Sequence, residues 1–386
     1  MHSESLTESF FESIVQTTLI MTGSSIKTLA GDGTVIEAAC SHYKVCREEA
    51  LKTRAEEAQK ALDKDPKNSN LQDNVKQITK AVEIFDERKK SRESNGRKSH
   101  TLSISPSEPE AMVQQAKRGR GYAASYKPSV LANGQRVVVA IAVDPSNENI
   151  VIPQMLDRAM SITSKKTEQL LLDAGYCTDN IINDTLERDI SLLCPEGKKP
   201  GKPKDSKKFA KGRFRYDAMQ DVYICPAGEQ LIFITSAKDS EKTKGQSRYG
   251  NAPCQDCSLR MKCTTNKKGR EIKRYTMDEH KDALREIMKH PKAKENYGKR
   301  QGMVEPVFGY LKQVQGLNRF RRKGLNGVRT EFALHMMAYN LSRILAYICD
   351  KIGFIGSYIR QKVAIIAIAM IHQILQMKSN AVKLAR

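Results

Sequence analysis

No stretch of the 386-residue chain is apolar for long enough to span a bilayer. The most apolar run, Val363 to Ile371, is about half of the roughly 20 residues that a spanning helix needs. The start, Met1 to Glu8, lacks the basic stretch that opens a secretory signal. These absences predict a cytoplasmic chain, where thiols stay reduced. The nine cysteines are odd in number and too clustered for a disulfide scaffold. Acidic residues are also in short supply: 44 stand against 65 lysines and arginines, for a formal net charge of +21. Such an excess repels itself in a compact chain unless a polyanion draws on it. Nucleic acid is the expected partner; an anionic membrane surface and a merely basic enzyme are the rivals.

Periodicity divides the chain. Residues 1–43 read as an apolar helix over Phe10 to Met21, a Gly-Ser turn, and a strand or hairpin from Lys27 to Ala39 interrupted at Gly31-Asp32-Gly33. In residues 44–93, Leu51, Ala55, Ala58 and Leu62, then Leu71, Val75, Ile78, Val82 and Phe85, recur at three- and four-residue spacing around Asp65-Pro-Lys-Asn68. That pattern predicts a helical hairpin with two apolar seams. It suits an arm that pairs with itself or a second subunit, or one that grips DNA.

Residues 94–194 open with a polar linker, 94–120, that includes the basic run Lys117-Arg-Gly-Arg-Gly121. Tyr122–Val130 and Gln135–Val143 then flank Asn133-Gly134 as a β-hairpin, the second strand apolar throughout as in a buried sheet. Helices over Pro153–Met160 and from Thr178 to Arg188 alternate with short strands at Gln169–Leu172 and Ile190–Leu193. This is an α/β order with a mixed sheet. Residues 195–275 form a basic, cysteine-rich insertion. Residues 276–350 return to helices, among them Val328–Ile348, and 351–386 form a helical tail with an apolar stretch from Val363 to Met377.

Three carboxylates stand out. Asp32 lies between glycines, where backbone comes close to a metal or phosphate, or simply in an Asp-Gly turn. Asp173 follows a buried strand, the end at which open α/β sheets place their chemistry. Its plainer alternative is a turn or cap residue, although Thr178 already reads as the helix cap. Glu305 and Lys312 are seven apart and share a helix face. They suit a metal-binding carboxylate with a phosphate-binding cation, or a surface salt-bridge helix. Pro306 argues that a helix begins close to Glu305. Downstream, Arg319-Phe-Arg321-Arg322-Lys323 is a compact basic run with one aromatic, a composition that favours DNA contact. His290, His335 and His372 are read as structural.

Cys225, Cys254, Cys257 and Cys263 follow the spacing C-x₂₈-C-x₂-C-x₅-C. Two thiolates two residues apart fit a tetrahedral metal, and four ligands leave no open position, so a structural Zn²⁺ is expected. The alternative is a set of buried or surface thiols. Lys199, Lys202, Lys204, Lys207, Lys208, Lys211, Arg213 and Arg215 surround the module and suit DNA backbone contact. Cys40, Cys46, Cys177, Cys194 and Cys349 are read as small buried hydrophobes.

Gly-Asp32-Gly-Thr-Val-Ile-Glu-Ala-Ala, Leu-Asp173-Ala-Gly-Tyr and Tyr297-x₂-Arg300-x₄-Glu305-x₆-Lys312 resemble, in order, the three acidic motifs of bacterial insertion-sequence transposases. The likeness is to the IS1182 type, within the IS4/IS5-like DDE group, and the cysteine block is similar to that family's as well. The resemblance runs from about residue 25 to 350. It implies an RNase H-like catalytic core interrupted by a helical hairpin and a zinc module. It implies that Asp32, Asp173 and Glu305 ligate two Mg²⁺ (or Mn²⁺) ions, and that Lys312, Arg300 and Tyr297 hold phosphates or the strand end. The implied partner is double-stranded DNA, both element ends and target, bound by a homodimer or larger assembly on the bacterial nucleoid.

The sequence departs from the family in two places. Four residues, not three, separate Arg300 from Glu305, so on a continuous helix Arg300 points about 140° away and Gln301 takes the aligned place. Only 31 residues precede Asp32, where relatives carry a helical end-binding domain. A truncated copy or late start is therefore expected, and with it an alternative: a DNA-binding or assembly remnant that no longer transposes. A structural zinc protein with a helical arm is a third reading, which leaves the acidic motifs unexplained.

Overall fold

The computed structural model describes residues 2–41, 44–115, 121–197, 208–238 and 245–353. The chain divides into two compact units, one made of residues up to Leu170 and again from Lys299, the other of Leu171–Gly298. The basic residues 117–120 and 199–207, His372 and the stretch Val363–Met377 lie outside the described residues. Among the described residues no helix is long and apolar enough to cross a membrane.

The first unit is a mixed α/β structure, consistent with an RNase H-like core. It opens with α1 (His2–Thr22). Gly23 ends that helix in the left-handed region, φ +61°, where Ser24 N–H returns to Leu19 O. β1 (Thr28–Gly33) and β2 (Ile36–Glu37) follow. The central strand is β4 (Tyr122–Asn133), buried along almost its whole length. β1, β2, β3 (Met112–Gln115) and β5 (Val138–Asp144) all pair with it antiparallel. β6 (Gln169–Leu171) starts beside β1, where Gln169 N–H donates to Lys27 O. α4 (Ile152–Thr163) and α1 pack on β5 and on each other. Val138, Val139, Ala140, Met155, Leu156, Phe11 and Val15 are sealed from solvent as a result.

The long helix α8 (Pro291–Gln313), from Lys299 on, and a helix over residues 324–353, α9, complete this unit. α9 is tied to the sheet by Asn340. Its buried carboxamide accepts from Val138 N–H at 3.0 Å and donates to Val138 O at 2.8 Å. One side chain thereby satisfies both backbone groups that β5 leaves unpaired at that residue.

Between β2 and β3 two helices form a pair, α2 (Glu48–Lys64) and α3 (Ser69–Ser94). Leu51, Ala81 and Phe85 are buried together with Cys46, Leu102 and Ile104. Asn68 caps α3 by accepting from Asn70 and Leu71 N–H. Glu48, in the first turn of α2, takes Lys52 and Lys89, each at 2.9 Å.

Several local expectations are corrected. The polar stretch 94–120 is not a linker over 102–111: Leu102, Ile104, Ser105, Glu108 and Ala111 are buried. Its backbone carbonyls are taken by α3, with Gln77 on Pro106 O and Arg88 on the carbonyls of Glu110 and Ala111. The Asn133-Gly134 turn is a four-residue loop, residues 134–137, in which Arg136, not Gly134, takes positive φ (65°). The Asn133 carboxamide fixes it by accepting from Gln135 and Val137 N–H.

The second unit begins as the chain leaves β6, with Leu172 N–H on Leu193 O of β7 (Ser191–Leu193). α5 (Asp179–Glu187) lies between, and Thr178 occupies its cap position without a side-chain capping bond, contrary to expectation. A separate antiparallel sheet follows, in the order β12-β11-β10-β9-β8. Its strands are β8 (Arg215–Asp217), β9 (Val222–Ile224), β10 (Gln230–Ala237), β11 (Gln246–Gly250) and β12 (Ile272–Tyr275). Tyr216, Tyr223 and Tyr249 cluster on it, with the Arg274 guanidinium 3.6 Å from the Tyr216 ring centre. The short α6 (Arg260–Cys263) and α7 (Asp278–Ile287) complete the unit.

Replacing Asn340 by Leu keeps the volume and strands both Val138 groups. Urea unfolding should show stability lower by about 2–4 kcal/mol. An unchanged midpoint would mean that the carboxamide is dispensable.

Candidate active site and metal centre

β1 carries Asp32 opposite Val130 of β4, inside a continuous ladder. Asp32 is therefore not the corner of an Asp-Gly hairpin turn, and neither Gly31 nor Gly33 takes positive φ. Asp32 Oδ1 accepts from Gly33 N–H at 2.9 Å. Its Oδ2 lies 3.2 Å from Nη2 of Arg300. The same Nη2 donates to Gly31 O at 3.3 Å.

α8 brings this guanidinium to β1. Arg300, Met303, Val304, Val307 and Leu311 are its buried residues, one face of a helix. Glu305 does not open a helix: Pro306 sits inside α8. Proline cannot donate to the carbonyl four residues back, that of Gly302. Arg136 Nε, from the loop after β4, donates to that carbonyl at 3.0 Å instead. The carbonyl that Pro306 leaves open is therefore taken up by a side chain from outside the helix.

The 140° offset between Arg300 and Glu305 has a consequence opposite to the expected one. It turns Arg300 inward, 7% exposed, onto the first acidic motif. Arg300 is consequently a partner of Asp32 and not a DNA-facing residue. Lys312, nearer the C-terminal end of α8, donates to Thr34 Oγ1 and reaches Val35 O at 3.4 Å. Two cations of one helix thus bracket the end of β1. Glu305 lies between them, exposed, with no hydrogen bond or ion pair among the described residues. Thr34 was not singled out from sequence, although it belongs to the same Gly-Asp-Gly-Thr motif.

Asp173 belongs to the second unit. It caps a short turn over Ala174–Tyr176 by accepting from Gly175 N–H at 2.8 Å. A Cβ at Gly175 would stand 3.0 Å from that carboxylate oxygen, which explains the Asp-Ala-Gly order. The Cys194 thiol donates to Asp173 O at 2.9 Å. Tyr297 is half-buried and also lies in the second unit, on the first turns of α8.

Cys225, Cys254, Cys257 and Cys263 line one pocket, with Phe209, Leu231 and Arg270. Cys225 Sγ accepts from Ala227 N–H at 3.4 Å and Cys254 Sγ from Arg270 N–H at 3.5 Å. Gly269, φ +99°, presses on Cys254: a Cβ there would stand 3.2 Å from Cβ and Sγ. Burial pushes the Cys263 thiol up, and the other three cysteines add to that; the Arg270 guanidinium opposes it. Nevertheless, among the described residues no three His, Cys, Asp or Glu side chains stand together as a metal-holding group. Of the scattered cysteines, Cys46 and Cys194 are buried, whereas Cys349 is exposed.

In the basic run, Arg319 pairs with Glu37 at 2.9 Å. Phe320 is not available to bases: it is 1% exposed and meets the Tyr126 ring edge-on. Arg321, Arg322 and Lys323 are exposed. His335 is structural, its Nδ1 2.9 Å from the Gln315 carboxamide.

Breaking the Arg300–Asp32 pair leaves a half-buried carboxylate without its cation. Arg300→Met should cost about 3 kcal/mol in urea unfolding. Adding Asp32→Asn should return part of that loss, so the double variant is more stable than the two single losses predict. Strict additivity would show that the two side chains do not interact.

Residues 224–345 match the family model of the transposase DDE domain, a region that runs from β9 through the four cysteines and Glu305 into α9. Asp32 and Asp173 precede it. No curated protein and no solved structure gives a significant match to the chain. Just under a third of the chain is therefore similar to a transposase DDE domain, and that third includes the whole buried face of α8.

Proposed function

We propose that the chain is a DDE transposase of the IS1182 type, cleaving DNA at insertion-sequence ends and joining it to a target. The observation that carries this reading is the seating of α8. A helix inside the region similar to transposase DDE domains lays Arg300 on Asp32 and Lys312 on Thr34, with an unengaged Glu305 between.

Asp32, Asp173 and Glu305 are the carboxylates assigned to the metal. Their chemistry fits: hard oxygen donors suit Mg²⁺ or Mn²⁺. Asp173 and Glu305 keep lone pairs unused by the hydrogen bonds described above. When bound, a pair of such ions supplies Lewis acidity to both the attacking and the leaving oxygen. The protein's share is positioning and charge. Arg300 fixes the Asp32 carboxylate against β1. Lys312 offers a cation to the phosphate, and the basic run Arg321-Arg322-Lys323, helped by Arg319 and Tyr297, holds the DNA backbone. In-line displacement of this kind asks for no covalent enzyme intermediate.

Zinc belongs to the same proposal. Cys225, Cys254, Cys257 and Cys263 converge on one pocket, and backbone N–H groups already point at two of the sulfurs. No three of these side chains stand together among the described residues as a metal-holding group, so zinc would have to draw the four thiolates inward to be held as a structural ion. Pairing of two DNA ends would require at least a homodimer, and the site of action would be the bacterial nucleoid.

A duplex bearing the inverted repeats that flank the gene should be nicked in Mg²⁺. Asp173→Ala and Glu305→Gln should each lose about a hundredfold or more in rate. Cutting by Asp173→Ala at the parental rate would remove Asp173 from the site. Binding without cutting by the parent would favour the non-transposing DNA-binding remnant.

Protein purified without chelator should contain about one zinc per chain, less in Cys257→Ser. Under roughly half an equivalent in the parent would count against the zinc centre.

A further inference from the structure

The exposed basic run carries an unexpected feature: its backbone is held by carboxylates. Glu331, from α9, accepts from Arg321 N–H at 2.9 Å and from Arg322 N–H at 2.8 Å. Glu108 accepts from Gly324 N–H through both oxygens, at 3.2 and 3.1 Å, and from the Tyr126 hydroxyl at 2.9 Å. Glu110 accepts from Leu325 N–H. Gly324 takes φ +72°, which lets the chain turn into α9 between these acceptors.

In a region read as facing a polyanion, negative charge opposes binding. Three carboxylates there have to serve something other than attraction. Their oxygens consume the N–H groups of residues 321, 322, 324 and 325, including the first N–H groups of α9. Those donors at a helix start would otherwise be open to phosphate. With its backbone fixed from below, the loop presents its cations outward. Arg321, Arg322 and Lys323 are exposed, and among the described residues none of the three is in an ion pair.

The clamp is itself anchored. Glu108 is 1% exposed, and burial pushes its carboxyl up against the hydrogen bonds from Tyr126 and Gly324. Glu110 is held by Lys80 of α3 at 2.8 Å, and Arg88 of α3 grips the Glu110 and Ala111 carbonyls. Phe320 is locked against Tyr126 at the start of the loop. The helical pair α2–α3 is thereby connected to the basic run through residues 102–111.

We propose that Glu108, Glu110 and Glu331 are positioning residues for DNA binding: they hold the backbone of residues 321–325 so that Arg321, Arg322 and Lys323 meet the phosphates in a fixed arrangement. This inference rests on the reading of the basic run as a DNA contact. It deepens that reading, because charge alone does not ask for these residues.

The sign of one measurement separates the two ideas. If only charge matters, removing a carboxylate beside the run tightens binding. If positioning matters, it weakens binding although the net charge becomes more positive. The probe is a short fluorescent duplex of arbitrary sequence, titrated with full-length protein across a series of salt concentrations. Glu331→Ala should weaken binding about tenfold and reduce the salt slope by about one phosphate contact. Glu331→Gln, which keeps one acceptor oxygen, should fall between it and the parent. Glu110→Gln, at a partly exposed site, serves if Glu331→Ala does not fold, and should weaken binding in the same direction. Thermal melting checks that each variant is folded. Folded Glu331→Ala or Glu110→Gln that binds as tightly as the parent, or tighter, overturns the proposal, provided Arg321→Ala binds more weakly. If the Arg321→Ala, Arg322→Ala and Lys323→Ala variants all bind as the parent does, the run is not a DNA contact, and the underlying reading fails with the inference.

Discussion

The seating of α8 on β1 depends on one buried guanidinium. Arg300 reaches from the helix to Gly31 O and Asp32 at once, so helix position and carboxylate position are set by the same group. Burying a cation is expensive unless it is paired and hydrogen-bonded, and here both partners come from a single strand. α8 is consequently constrained in register: a shift by one residue turns Arg300 about 100° away from β1. Lys312 meets Thr34 only in that same register. The exposed Glu305 is carried along, placed by residues on either side of it rather than by any contact of its own.

The helix pays for this placement at Pro306, and the cost is met from far away in sequence. Gly302 O loses its helical donor and gains Arg136 Nε, 166 residues distant. A similar exchange happens along β5, where the Asn340 carboxamide replaces a missing strand at Val138. In both cases a side chain repairs a backbone group that secondary structure leaves open, and in both the repair joins a C-terminal helix to the β4–β5 hairpin.

This pattern marks the limit of what the amino-acid order discloses. Apolar periodicity was enough to locate α1, the α2–α3 pair and the buried strand β5, because those signals are local. The strand end at Asp173 was legible for the same reason. Pro306 argued for a helix start because its compensation lies in a distant loop. Residues 102–111 looked like a linker because their polar atoms are satisfied by Gln77 and Arg88, which no short-range pattern connects to them. Arg300 was discounted from its spacing to Glu305; the angle was right, but the sequence does not say which side of the helix faces β1. Phe320 looked like an aromatic among DNA-facing cations and is instead the residue that ties that run to the core.

In a chain so short of acid, what each carboxylate does is set by how its lone pairs are used. Glu108 and Glu331 each accept two or more hydrogen bonds from neighbours, so their charge is spent on holding backbone. Glu37 and Glu48 are spent on cations. Glu305 has nothing of the kind among the described residues, and Asp173 uses one oxygen on its own turn. Asp32 stands between these cases, with Gly33 N–H on one oxygen and the Arg300 guanidinium beside the other. An acid left unengaged beside so much positive charge gives up favourable contacts, and that sacrifice has a physical reason if a cation from outside the chain completes it. The contrast between engaged and unengaged carboxylates therefore sets Glu305, and in part Asp173, apart from the glutamates that build the loop, while Asp32 is held by Arg300.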